Sequence, residues 1–131
     1  WSGLLQMSLR GTETAKNLTL SYVGESQARN RYTFFAEAAR KEGLEKIAEI
    51  FEETANNERA HAKCFFESLQ KGGAPAAISV QVDAGLPGIK TTYENLMDCV
   101  AGERAECEEI YPHFADVAER EGFKQIARQW R

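Results

Sequence analysis

The sequence lacks any apolar run near the roughly 20 residues that cross a bilayer, so no membrane span is expected. It also lacks the basic front, apolar stretch and small-residue cleavage site of a secretory signal. Cysteine is scarce: Cys64, Cys99 and Cys107 form no CxxC pair. A four-cysteine zinc or iron site within one chain is thereby excluded, and a disulfide framework is not expected. The three are read as small buried apolar residues, and a reducing cytoplasm is the expected home. Positive charge is not in surplus: 16 Lys and Arg face 20 Asp and Glu, a net charge of −4, which argues against a general nucleic-acid binder. What remains is ordinary globular composition, 43% hydrophobic and 27% charged over 131 residues. That is one domain, long enough to close a core without staples.

Glycine and proline are absent from long stretches. None lies between Gly24 and Gly43, between Gly43 and Gly72, or from Ile89 to Ala101. Those stretches are rich in Ala, Glu, Lys, Arg, Gln and Leu, which favour helix. They predict helices over Glu13–Lys41, Leu44–Lys71 and Thr91–Glu121, and a fourth beginning at Phe123. Gly43 and Gly122 fit sharp helix ends in the left-handed conformation. Four glycines and two of the three prolines crowd between Gly72 and Gly88, which marks a long crossover. Two tight helical hairpins joined by one crossover is the ferritin-like route to an all-α four-helix bundle.

The second predicted helix has a continuous seam of Ile47, Phe51, Thr54, Glu58, His61, Phe65 and Leu69, spaced by three and four residues. The first helix presents Leu18, Tyr22, Glu25, Tyr32, Ala36 and Ala39 on one face, and the third presents Leu96, Val100, Glu103, Cys107, Ile110 and Phe114. Each face has a carboxylate in its midst.

The two halves of the chain repeat one another. NLTLSYVGES matches NLMDCVAGER, and EAARKEGLEKIAEIF matches DVAEREGFKQIARQW. Asn17, Leu18, Gly24 and Glu25 align with Asn95, Leu96, Gly102 and Glu103. Phe35, Ala39, Gly43, Ile47 and Ala48 align with Phe114, Ala118, Gly122, Ile126 and Ala127 at an offset one residue greater. One extra residue has therefore entered the third helix between Glu103 and Phe114. Such an insertion is usually absorbed as a π-bulge. Pro112 lies in the same stretch and cannot donate a helical hydrogen bond.

Glu58-Arg-Ala-His61 places a carboxylate and an imidazole one turn apart on one face. Glu25 and Glu103 would face them across the bundle, and Glu106 adds a carboxylate one turn from Glu103. Carboxylates from two helices facing Glu-x-x-His motifs form the di-iron or di-manganese pattern. Several carboxylates in a dry interior each cost several kcal/mol if unpaired. A divalent cation offsets that, and oxygen donors with imidazole suit iron or manganese. A lone ExxH on a charged helix is more often solvated, and a buried Glu25 could instead pair with Arg29. The coincidence of three carboxylates centred on three apolar faces favours the metal. His113, with no ligand spacing to another candidate, is read as a surface residue.

GESQARNRYTFF, EETANNERAHAKCFF and AGERAECEEIYPHFADVAEREGF resemble the rubrerythrin family over nearly all of Gly11–Arg131. The resemblance implies a ferritin-like bundle holding two non-haem iron ions, with manganese or zinc as substitutes, and reduction of hydrogen peroxide to water. It implies Glu25, Glu58, His61, Glu103 and Glu106 as ligands and catalytic residues. Tyr32 and Tyr111 match the tyrosines that hydrogen-bond the ligating carboxylates. It also implies that one iron exchanges a histidine for the extra carboxylate on oxidation, and His61 and Glu106 are read as the exchanging pair.

The sequence departs from the family pattern in two ways. No rubredoxin domain with paired CxxC motifs is present, so a separate rubredoxin-like protein is expected to donate electrons. The repeat also places counterparts of Glu58 and His61 beyond Arg131, so the fourth helix is truncated in this sequence and lacks the second ExxH. Either a longer polypeptide supplies it, or a homodimer, domain-swapped, completes the bundle. Phe51, Phe65 and Leu69 are expected to have exposed flanks. Residues 1–6 match nothing in the family and are read as an extension ahead of a natural start at Met7, with residues 7–131 as the domain. Two rival functions stand beside peroxide reduction: a ferritin-like iron-binding or ferroxidase protein, and a metal-free bundle acting in assembly. Glu106, a carboxylate beyond the plain ferritin-like set, favours the first.

Overall fold

A computed structural model describes residues 8–131; the extension read at residues 1–6 lies outside the described residues. Helix α1 spans Glu13–Lys41 and α2 spans Glu45–Lys71. Helix α3 runs Thr92–Ala105, passes into a π-helical segment at Glu106–Ile110, and continues as α4 over Tyr111–Arg120. Helix α5 is short, Lys124–Ala127, followed by a 3-10 turn at Arg128–Trp130. The architecture is all-α, a ferritin-like bundle of two hairpins joined by a long crossover between α2 and α3.

Local chemistry sets these ends. Thr12 Oγ1 accepts the Ala15 amide at 3.1 Å and starts α1, where side-chain oxygens satisfy orphan N–H groups. Glu13 at its start and Arg40 and Lys41 at its end complement the helix dipole. Gly43, at φ +79°, and Gly122, at φ +94°, end their helices in the left-handed region. Leu44 N then donates to Ala39 O, and Phe123 N to Ala118 O, the Schellman pattern. Thr91 caps α3 by accepting from Glu94 N at 3.2 Å, and its hydroxyl donates back to the Glu94 carboxylate.

The predicted bulge is present, and it covers Glu106 through Ile110. Pro112 follows it at the start of α4. The widened turn absorbs the extra residue and the missing proline donor together.

The hairpins interlock through reciprocal caps. Glu121, beside the Gly122 turn, accepts from Thr14 N at 2.7 Å and Glu13 N at 3.1 Å, and from the Thr14 hydroxyl. Glu42, beside the Gly43 turn, accepts from Thr92 N at 3.3 Å with both oxygens. These residues occupy matching places in the two repeats.

Two apolar clusters fill the interior. One gathers Leu9, Leu18, Phe65, Ala115, Ala118, Phe123, Ala127 and Trp130; the other gathers Tyr32, Phe35, Ala36, Ala39, Phe51 and Ala55. Burying each Leu or Phe contributes about 1.5–3 kcal/mol. Along α1 and α2 the polar positions Glu25 and Glu58 fall between the clusters.

Several expected faces are corrected. Phe51 and Phe65 are buried, because Phe51 packs edge-on against Phe35 and Phe65 stacks on Trp130. Exposure falls elsewhere, on Ile50, His61, Met97, Val100 and Ile110. Val100, Cys107 and Ile110, expected on the inner face of the third helix, are exposed. Cys64 and Cys107 are exposed and Cys99 is half-buried, so the reading of all three as buried apolar residues does not hold. A seam drawn from spacing alone cannot show which of its edges a neighbour covers. His113 is on the surface, as expected.

Candidate metal centre

Glu25 and Glu58 project from α1 and α2 into the gap between the apolar clusters. They are 2% and 5% exposed. His61, one turn beyond Glu58, brings its Nδ1 to 3.6 Å from Glu58 Oε2 and 3.8 Å from Glu25 Oε2. Ligand atoms of Glu25, Glu58 and His61 all lie within 4.8 Å of one another. The Glu-x-x-His spacing accounts for two of the three members of this cluster, and the tight α1–α2 hairpin brings Glu25 across to it.

The second hairpin adds two carboxylates at the rim. Glu103 accepts a 2.9 Å hydrogen bond from Tyr32 Oη of the first hairpin, and Glu25 accepts a 2.7 Å bond from Tyr111 Oη of the second. Each repeat's tyrosine therefore holds the other repeat's glutamate. Glu106, on the π segment, lies outside the three-residue group but close enough to sense it: burial, then the negative charges of Glu25 and Glu103, push its carboxyl up to about 7.

Burial also raises the Glu25 carboxyl, against the lowering effects of Tyr111 and His61. Burial and the hydrogen bond to Glu25 raise the Tyr111 phenol far above its ordinary range, so it remains a donor at physiological pH. The anticipated alternative, Glu25 paired with Arg29, is not observed. The side chain within reach of Glu25 is the His61 imidazole, and Arg29 Nε has no hydrogen-bond partner among the described residues.

The arrangement thus concentrates acceptor oxygens and one imidazole where protein cations are missing. Buried carboxylates in that state are costly, and hard oxygen donors with imidazole are the donor set of iron or manganese. The residues present fit such a metal: a divalent cation would relieve both the Glu106 carboxyl pushed towards neutrality and the buried Glu25 and Glu58, whose ligand atoms lie within 4.8 Å of each other and of His61.

Sequence reasoning missed the residues behind the site. Trp130 Nε1 donates to Ser21 Oγ at 3.0 Å, and Cys99 stands near Tyr32, its thiol pushed up to about 11 by burial. The repeat held the signal, since Ser21 corresponds to Cys99 and Phe51 to Trp130. Aligning every position, not only the matching ones, would have paired them.

The rubrerythrin family model matches residues 16–131. The chain is 48% identical over 127 residues to a rubrerythrin of Porphyromonas gingivalis, covering 97% of this chain and 62% of that one. It is 46% identical over 121 residues to a rubrerythrin of Nitratidesulfovibrio vulgaris, covering 92% and 61%. Among solved structures, nigerythrin in its fully reduced, all-ferrous state superposes with a TM-score of 0.78 at 29% identity, over 95% of this chain and 62% of that one. The chain therefore spans about three fifths of the length of these relatives, and the stretch it shares with them includes every residue of the cluster. The chain belongs to the rubrerythrin family.

Proposed function

We propose that this chain is the metal-binding bundle of a di-iron oxidoreductase that reduces hydrogen peroxide to water in the cytoplasm. The observation that carries the reading is the convergence of Glu25, Glu58 and His61 within 4.8 Å, with no Lys or Arg among the described residues neutralising the buried carboxylates. Glu25, Glu58, His61, Glu103 and Glu106 would hold the metal. Two ferrous ions bound there would supply the two electrons that peroxide needs. Nigerythrin, a structural neighbour, is described in an all-ferrous state.

The protein's own contribution is positioning. Tyr32 and Tyr111 hold Glu103 and Glu25 by hydrogen bonds of 2.9 and 2.7 Å, which fixes the rotamers of two donors. Outer partners of this kind orient ligands. Glu106, whose carboxyl burial and the negative charges of Glu25 and Glu103 push up to about 7, is the further carboxylate that a bound cation would hold ionised. A rubredoxin-like protein would return electrons, and a homodimer would cover His61, which is 59% exposed.

The test is elemental analysis of the purified protein followed by peroxide addition to its reduced form. The expected result is two irons per chain and stoichiometric loss of peroxide. Iron without peroxide loss would replace the reading with ferritin-like iron handling. A folded bundle that takes up no iron would leave the assembly role.

A further inference from the structure

The aromatic rings behind Tyr111 connect the carboxylate cluster to Trp130. Tyr111 donates to Glu25 at 2.7 Å. Its ring lies 5.9 Å from Phe65 and 6.3 Å from Phe114, centroid to centroid. Both of those rings also touch the indole of Trp130, Phe65 stacked at 5.9 Å and Phe114 edge-on at 5.5 Å. Two parallel π bridges thus join one phenol to one indole. Trp130 is 3% exposed, and its N–H is held by Ser21 Oγ.

The other repeat has the same geometry without the same chemistry. From Tyr32 the rings run to Phe35 at 6.4 Å and on to Phe51 at 5.7 Å. Phe51 occupies the place of Trp130. Phenylalanine is far harder to oxidise than tryptophan, so the aromatic path from Tyr32 ends in a ring that holds its electrons. Packing alone explains an aromatic at this position in both repeats. It does not explain why the indole sits behind Tyr111 and a phenylalanine behind Tyr32.

We propose that Tyr111, Phe65, Phe114 and Trp130 form an electron relay that quenches a hydroxyl-radical-class oxidant, formed when peroxide gains one electron at the cluster in place of two and reduced by the relay to hydroxide. The proposal rests on the peroxide-reducing function for its natural oxidant. The phenol of Tyr111 loses one electron to the oxidant, and its proton passes along the existing hydrogen bond to Glu25 Oε1. The indole of Trp130 then returns one electron to the phenoxyl radical through the Phe65 or Phe114 ring, and Glu25 returns the proton. Tyr111 is restored. The net change is one electron gained by the oxidant and one lost by Trp130, which remains as an indole radical cation with its N–H on Ser21. No bond is made or broken apart from the proton's shuttle. Tunnelling falls off exponentially with distance, so rings in contact make two short hops faster than one long one. The relay would keep an oxidising equivalent away from His61 and the carboxylates when no external donor is available.

The relay can be tested without iron or peroxide. A ruthenium polypyridine complex is attached to His61, which is exposed, in the full chain carrying His113→Gln so that one imidazole is labelled. Flash photolysis with an external quencher then generates a one-electron oxidant at the cluster, and transient absorption follows the radicals. The expected product is an indole radical cation. It should vanish in Trp130→Phe, although Trp1 remains. In Trp130→Tyr, which keeps an aromatic ring in place, a phenoxyl signal should replace it. Tyr111→Phe should slow its appearance at least tenfold. An indole signal that survives Trp130→Phe, or no indole signal in the parent chain, would overturn the relay. Neither result would bear on iron content or peroxide consumption, so the proposed function and the relay stand or fall separately.

Discussion

In the first hairpin, α1 and α2 are uninterrupted helices of 29 and 27 residues. The matching path in the second hairpin changes from α to π helix at Glu106 and back to α at Tyr111. The comparison separates two kinds of residue. Those that obey the repeat hold the hairpins together: Tyr32 with Glu103 and Tyr111 with Glu25, Glu121 on α1 and Glu42 on α3. Those that break it carry the proposed chemistry. Glu106 adds a carboxylate on the π segment that absorbs the extra residue, and Trp130 stands where the first hairpin has Phe51. A two-fold frame can be kept by reciprocal contacts, because each is satisfied by its mirror. A redox site needs unlike groups on its two sides, so it departs from the frame at a few positions.

The largest expected effect comes from removing the one imidazole of the tight cluster. His61→Ala should lower bound iron more than the roughly 10–100-fold typical of losing an outer partner, with helix content by circular dichroism unchanged. His113→Ala, on the surface, should leave iron binding as it was. Equal iron in His61→Ala and the parent would remove His61 from the site.

The two tyrosines sharpen the comparison one level out. Tyr111→Phe strips the hydrogen bond from Glu25, a member of the tight cluster. Tyr32→Phe strips it from Glu103, which lies at the rim. A hydrogen bond to a charged group contributes about 1.5–3 kcal/mol. Iron affinity by competition with a chelator should fall in both variants, and further in Tyr111→Phe. The opposite order would mean that the second hairpin's carboxylate is the anchor.

Much of this was legible in the sequence. Helix spacing, the Gly43 and Gly122 ends and the offset of the repeat gave the bundle, and the odd residue in that offset located the π segment. Glu58 and His61 follow from local periodicity, since both lie on one helix. The convergence of Glu25 depends on the hairpin angle, which no local pattern contains. The cysteines and the outer flank of α3 were misread for the same reason: spacing shows that residues share a face, and only a packed neighbour shows that the face is covered. The cross-caps from Glu42 and Glu121 escaped notice because both look like ordinary charged residues beside a turn.

Those caps offer a smaller effect with a definite sign. Partial burial pushes the Glu121 carboxyl up, but hydrogen bonds from the Thr14 hydroxyl, Thr14 N and Glu13 N outweigh it, and the carboxyl sits below its ordinary range. A carboxyl depressed by folding stabilises above its unfolded pKa of about 4.3, and the contribution is lost as pH falls through the folded value. Glu121→Gln should therefore cost about 1–2 kcal/mol at neutral pH, the scale of a lost helix cap. It should also flatten the acid limb of the stability curve measured by urea unfolding below about pH 4.3. Glu42→Gln, which loses only two bonds of 3.3 Å, should cost less. Distant sites usually add, so a double variant whose loss exceeds the sum would show that the caps act as one device.

The smallest effect compares the two threonines beneath these caps. Thr14 and Thr92 are both buried. The Thr14 hydroxyl donates to Glu121, whereas Thr92 Oγ1 has no hydrogen-bond partner among the described residues. A buried polar group without a partner carries its full desolvation penalty, and an apolar group of the same shape removes that penalty. Thr92→Val should accordingly be neutral or stabilising by up to about 1 kcal/mol, while Thr14→Val should destabilise by about 1–2 kcal/mol because it leaves a carboxylate short of a donor. Both are read as shifts in the urea midpoint at constant slope. If the two variants lose the same stability, the Thr92 hydroxyl has a partner in solution, and the two caps are equivalent after all.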